Sequence, residues 1–263
     1  MMQALPSKSE QDFWNKNHFL FRERVFTGAA LEDVRQWTDE IARWPESPGQ
    51  WMKYFERADR DDRQLCRIEN FIEYHQGFQH MILGPDTLAL VGALMGEPAL
   101  LFKEKLNYKL PGGSGFLPHQ DAPAFASFGQ NYHITMLVTV DPMTIANGCL
   151  ELSDPVHGQK TLPQEPDGTV SRVVAAKRNW HPLEIPEGSV LFFDSYVPHR
   201  SAANGSDQPR RALFITYNRA SEGDHRDAYY TNKREVFPPE CERDPDVDYG
   251  AKPGPFNLGN PIR

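Results

Sequence analysis

Between residues 100 and 218 the chain runs as short apolar and β-branched segments broken by Gly, Pro and Asn turns, with no helical stretch between them. This feature restricts the fold more than any other. Leu100 to Leu110 alternates and stops at Pro111-Gly112-Gly113, and Tyr132 to Val140 is β-branched and apolar. Cys149 to Leu152 follows the turn Ala146-Asn147-Gly148, Ser189 to Phe193 follows Pro186-Glu187-Gly188, and Arg211 to Tyr217 closes the series. Such turn residues reverse the chain after each strand. Parallel strands need long crossover connections, usually helices. Without them the strands must pair antiparallel, as a jelly roll or a barrel.

The flanks read differently. The first hundred residues are expected to be mainly helical. From Thr27, a candidate N-cap, Leu31, Val34, Trp37, Ile41 and Trp44 fall near a helical period, and Pro45 and Pro48-Gly49 end the helix. Pro85 to Met95 reads as a second helix, with proline in its first turn and Gly96 at its end. Cys66 to Gln79 is ambiguous and leans helical. From Ser221 onward the chain is rich in Pro, Gly and charge, which suggests irregular coil. No repeat or linker interrupts it. We therefore expect a single domain over 1–263: helical support in 1–99, a jelly-roll core in 100–218 and an irregular wrap in 219–263.

Composition excludes several roles. Hydrophobic residues make up 39%, enough for a sizeable core, and the mean hydropathy is −0.60. No apolar run approaches the roughly 18 residues of a membrane span. Met1 to Gln11 lacks a basic start followed by an apolar stretch, so no secretory signal is expected. A net charge of −8 argues against a nucleic-acid partner, though a pocket can carry the opposite sign. The three cysteines are odd in number and form no CxxC pair. That argues against a disulfide framework or structural zinc and for a reduced, cytoplasmic setting. Oligomeric state is not legible.

The chemistry concentrates at Pro118-His119-Gln120-Asp121. In a strand, residues two apart point to the same face. An imidazole and a carboxylate can thus meet one metal, and a remote histidine would complete a two-histidine, one-carboxylate triad. Such a triad leaves coordination positions open, as non-haem Fe(II) oxygenases require. An HxD alone is weak evidence. Here His199 follows 80 residues after His119, directly after an apolar strand, and Arg210 follows eleven residues later. A guanidinium fork matches a carboxylate, so Arg210 can hold the far end of 2-oxoglutarate.

These residues resemble the phytanoyl-CoA dioxygenase family of Fe(II)/2-oxoglutarate oxygenases. Besides His119-Gln120-Asp121, the resemblance rests on Asn107 to Pro111, Asn147-Gly148-Cys149-Leu150, and Gly188 to Phe193. It continues in His199-Arg200-Ser201, Asn204, and Arg210-Arg211-Ala212. It spans roughly residues 100 to 218. It implies a double-stranded β-helix (a cupin-like jelly roll), Fe(II) as cofactor, and 2-oxoglutarate and O2 as co-substrates. It also implies hydroxylation of a C–H bond with release of succinate and CO2. His119, Asp121 and His199 would hold the metal. Arg210 and Ser201 would bind the C5 carboxylate of 2-oxoglutarate, with Lys105, Asn107 and Leu137 lining its pocket. The loop Asp154-Pro155-Val156-His157 departs from the family's usual Pro-Gly-Ser/Thr-His. Nothing matches features that recognise a coenzyme A thioester, so the namesake's substrate is not implied.

A small polar or zwitterionic substrate, such as an aminophosphonate or an amino-acid-like compound, is expected instead. Lys103, Lys105, Asn107 and Lys109 share one strand face by period two; such a face is either solvated or a cationic pocket wall. Lys103, His133, Thr135, His157 and Arg219 are the candidate substrate contacts. Two alternatives stand. A tailoring oxygenase of secondary metabolism would have a roomy aromatic pocket. A non-oxygenase metal-binding jelly roll could hold zinc on the same ligands, but would leave Arg210 without a purpose.

Overall fold

The computed structural model describes residues 5–57, 63–249 and 262. Helix α1 (Lys8–Asn17) leads into strand β1 (Phe19–Arg22), and helix α2 (Ala29–Arg43) precedes the hairpin of β2 (Met52–Arg57) and β3 (Arg63–Glu69). Helices α3 (Gln76–Leu83) and α4 (Pro85–Met95) then lead into the long strand β4 (Ala99–Lys109). Next come β5 (Phe116–His119), the helical turn α5 (Ala122–Phe125), β6 (His133–Thr139) and β7 (Leu150–Ser153). They are followed by the turn α6 (Arg172–Ala175), β8 (Trp180–Leu183), β9 (Val190–Asp194), β10 (His199–Ser201), β11 (Arg210–Arg219) and helix α7 (Arg226–Val236).

The strands form two antiparallel sheets: a major one in the order β1-β9-β6-β11-β4-β3-β2 and a minor one in the order β5-β10-β7-β8. This is the expected jelly roll. Its major sheet has two unlike faces. The outward face carries Leu106, Met136, Val138, Phe192, Leu213 and Ile215, which pack with Val34, Ile41, Phe78, Leu90 and Leu94 from the helices. Each such side chain contributes about 1.5–3 kcal/mol by leaving water. The inward face puts Leu137, Leu191, Phe193 and Phe214 against Leu150, Leu152 and Val197 of the minor-sheet side.

Several expectations are corrected. Thr27 does not cap α2. Gly28 is the cap, at φ +54°, a left-handed conformation that glycine adopts at little cost. Cys66 to Gln79 is not one helix: its start belongs to β3, and a 3-10 turn at Ile72–Tyr74 separates that strand from α3. Alternation in β3 was hidden because its inward residues, Arg67 and Glu69, are charged rather than apolar. β1, β2 and β3 all come from the stretch read as helical support, and all join the major sheet. The expected irregular C-terminal wrap contains α7, whose Tyr229, Tyr230 and Lys233 are buried. The part of that wrap at 250–261 and 263 lies outside the described residues.

Candidate active site

Strand register brings the site together. His199 on β10 stands directly opposite His119 on β5. On its other side His199 faces Leu152 of β7. Residues paired across a ladder share a face, so both imidazoles project together, with ring centroids 4.1 Å apart. Asp121 joins them by another route than strand alternation. β5 ends at His119, and Asp121 has helical angles (φ −74°, ψ −31°) at the start of α5. Its Oδ1 nevertheless lies 3.9 Å from His119 Nε2. One ligand atom from each of His119, Asp121 and His199 falls within 4.8 Å of the others, and all three residues are buried. A single cation can therefore be shared.

The rings are preset for that task. His119 Nδ1 lies 2.7 Å from the Leu117 carbonyl and His199 Nδ1 3.1 Å from that of Val197. Donation to these carbonyls places each proton on Nδ1 and leaves the Nε2 lone pairs free. Burial, with the neighbouring His199, pulls the His119 pKa down to about 3. Burial also lowers His199, so both rings are neutral. Burial works to raise the Asp121 carboxyl, but His199, Lys105, Lys103 and His119 outweigh it and keep the group anionic. Two neutral imidazoles and a carboxylate are the donor set a ferrous ion takes.

Gln120 fixes the segment. Its Nε2 donates to the carbonyls of Tyr196 (2.6 Å) and Lys160 (3.1 Å), and its Oε1 accepts from Leu162 N (2.7 Å). It thereby ties the His119–Asp121 stretch both to Tyr196, just before β10, and to the segment around Lys160 and Leu162 that follows β7.

Beside the triad is a cavity lined by Lys105, Asn107, Phe116, His119, Leu150, His199, Ser201, Arg210 and Phe214, among others. Arg210 is 2% exposed, has no ion-pair partner among the described residues, and its buried Nε is unsatisfied. Burial lowers its pKa to about 10, so it stays charged. A buried guanidinium without a carboxylate is costly unless an anion joins it. Asn107 Oδ1 is likewise unsatisfied. Lys109, which the sequence placed only on a face either solvated or pocket-lining, braces Ser201 in the cavity wall. Its Nζ donates to Ser201 Oγ (2.7 Å) and to the carbonyls of Ala202 (2.5 Å) and Gly148 (3.3 Å). Gly148, at φ +69°, has no room for a side chain, which would strike the Ala202 carbonyl.

The remaining expected residues divide. Leu137 does not line that cavity; it is fully buried in the apolar cluster with Phe193 and Phe214. Lys103 points inward, with Nζ 4.4 Å from the centre of the Phe125 ring. His133 is buried against Phe125 and Phe102, with Nε2 2.9 Å from Gln130 Oε1 and Nδ1 unsatisfied. Thr135 pairs its hydroxyl with Thr216 at 3.1 Å. His157 is exposed and meets His18 at 3.2 Å, which in turn meets Asp194 at 2.7 Å. Arg219 sits nine residues along β11 from Arg210, beside Glu97 and over Tyr132, away from the triad.

This donor set, on this fold and beside an anion-ready cavity, defines a class: the non-haem iron, 2-oxoglutarate-dependent dioxygenases. The chain belongs to the phytanoyl-CoA dioxygenase (PhyH) family, which its residues 14–212 match. It is 51% identical to a 2-aminoethylphosphonate dioxygenase of an uncultured bacterium, over 98% of each chain. It is 39% identical to a methylphosphonate hydroxylase of Gimesia maris, over 90% of each. In fold it is similar to EctD from S. alaskensis, whose crystal structure contains 2-oxoglutarate and 5-hydroxyectoine. The TM-score is 0.69 at 16% identity, covering 84% of this chain and 79% of the other.

The enzyme thus uses Fe(II) and 2-oxoglutarate and acts on a small molecule. No helix among the described residues is long and apolar enough to cross a membrane.

Proposed function

We propose that this dioxygenase hydroxylates a C–H bond of a small phosphonate, 2-aminoethylphosphonate being the first candidate. One observation supports this reading above others: the β3–β4 part of the major sheet's inward face carries cations where an oxygenase for apolar metabolites would present aromatic and aliphatic walls. Lys103, Lys105 and Arg67 all lie on that face, by register with Thr216, Phe214 and Asn107. The names of the two most similar relatives point the same way. The tailoring-oxygenase alternative calls for a roomy aromatic pocket and fits this wall less well.

In this reading His119, Asp121 and His199 hold the ferrous ion, and their Nδ1 hydrogen bonds keep both imidazoles oriented. Arg210 takes the far carboxylate of 2-oxoglutarate in its fork, and Ser201 donates to the same group while Lys109 fixes the serine. When bound, the metal and co-substrate supply the oxidising power, with succinate and CO2 leaving as the C–H bond is hydroxylated. The protein's own part is orientation and exclusion of water: Phe116, Leu150 and Phe214 supply apolar lining to the cavity that Arg210, His119 and His199 share. Three free cysteines are in keeping with a cytoplasmic setting.

The test is aerobic incubation with Fe(II), 2-oxoglutarate and 2-aminoethylphosphonate. Succinate should form in step with a new phosphorus resonance of the hydroxylated product. If no phosphonate raises succinate above the uncoupled background, the reading fails.

A further inference from the structure

Past the co-substrate cavity, the inward face of the major sheet continues into a second cationic cluster. Its members come from three elements: Arg67 and Glu69 on β3, Lys103 and Lys105 on β4, and Lys233 on α7. Glu69 is shared on both sides, with Oε1 2.7 Å from Arg67 Nε and Oε2 2.5 Å from Lys233 Nζ. That single carboxylate is thus fully used. The Arg67 contact is not aligned as a hydrogen bond, and its buried Nε and Nη2 have no hydrogen-bond partner. Arg67 is 3% exposed. Lys103 forms no hydrogen bond or ion pair among the described residues. Its Nζ lies over the rings of Phe125 (4.4 Å) and Tyr229 (5.5 Å). Among the described residues, four basic groups therefore stand against two carboxylates, Glu69 and Asp121. Buried cations in such excess cost several kcal/mol unless an anion enters.

The cluster also adjoins the triad, since Lys105 and Lys103 both act on the Asp121 carboxylate. α5 begins directly after Asp121 and ends at Phe125, the ring beneath Lys103. An acid group held there would place the adjoining carbon chain towards the metal ligands. We propose that Arg67 and Lys103 form the seat of the substrate's phosphonate dianion, with Glu69 and Lys233 fixing the arginine. The proposal rests on the phosphonate reading above and adds the residues that read the headgroup. The arginine fork can span two phosphonate oxygens while the lysine offers a point charge to the third. Recognition of this kind favours a tetrahedral dianion over a planar monoanionic carboxylate.

Calorimetric titration of the holoenzyme with Fe(II) and 2-oxoglutarate, kept free of O2, tests this without turnover. The probes are 2-aminoethylphosphonate and its carboxylate counterpart, 3-aminopropanoate. Arg67→Met and Lys103→Met should each weaken phosphonate binding about thirtyfold or more. Binding of the carboxylate should change little, so selectivity between the two collapses. The visible band of the iron–2-oxoglutarate complex, unchanged, shows that the triad and co-substrate are intact. Lys103 has no ion pair to lose, so its variant decides the matter should Arg67→Met fail to fold. Wild-type affinity for the phosphonate retained in Lys103→Met overturns the proposed seat and leaves the phosphonate reading standing. A wild-type enzyme that binds no phosphonate at all overturns both.

Discussion

His199 concentrates three roles in one side chain: it pairs with His119 across the ladder, donates from Nδ1 to Val197, and leaves Nε2 to the metal. His199→Ala should abolish both iron retention and turnover, measured by iron content after desalting and by succinate formation. Activity retained in that variant would sink the triad assignment. Arg210 predicts a different signature. Arg210→Met removes the fork but no metal ligand, so iron content should hold while the KM for 2-oxoglutarate rises about a hundredfold, as expected when a buried charge partner is removed. The sequence singled out both residues by type and spacing, and the structure buries both beside one cavity. Lys109 was not. It stood in a row of alternating lysines, and only the packing of Gly148, Ser201 and Ala202 around its Nζ separates it from a solvated neighbour.

At the scale of elements, α7 is the informative case. Its segment was read as irregular because the chain from Ser221 onward is rich in Pro, Gly and charge, yet it forms a helix that buries Tyr229, Tyr230 and Lys233. Tyr229 meets Phe102 at 4.8 Å and Tyr54 stacks on Phe237 at 5.4 Å. The helix thus packs through both apolar rings and a buried ion pair between Lys233 and Glu69. Lys233→Met leaves one Glu69 oxygen without its partner and should cost about 3 kcal/mol. A thermal unfolding midpoint lower by roughly 6–12 °C is expected for a chain of this size. A shift under 2 °C would show that the pair is energetically idle. β3 teaches the same lesson in reverse. Its register with Asn107 and Lys105 puts Arg67 and Glu69 inside, so the strand carries charge where a core strand would carry valine or isoleucine.

Over the whole molecule, charge is distributed against the overall sign. The chain carries a net −8, yet the space between its sheets is lined with buried cations. Burial, with Lys105 nearby, lowers the Lys103 pKa to about 7. Burial, with Arg210, lowers Lys109 to about 6. Both values lie below those of the unfolded chain, so between roughly pH 6 and 10 the unfolded state binds more protons than the folded one. On account of these two groups, the stability of the ligand-free protein should rise with pH across that window. The unfolding midpoint, compared between pH 6 and pH 8.5, checks this. Lys103→Met should flatten the rise; an equally steep rise in the variant would remove Lys103 from the account. Added anions that bind the cavity should stabilise most at the acid end, where the lysines are protonated.

Sequence alone determined the antiparallel architecture and the nature of the chemistry. Turn residues and strand alternation are local, and a metal triad with a distant arginine is recognisable by residue type and spacing. Tertiary structure alone decided that Asp121 reaches the metal site from a helical turn, that Arg67 and Lys233 are buried beside Glu69, and that Leu137 and Arg219 stand away from the cavity. Each of these depends on which strand lies beside which, across separations of up to 164 residues. No local pattern of polarity encodes such pairings, least of all on a strand face that buries charge.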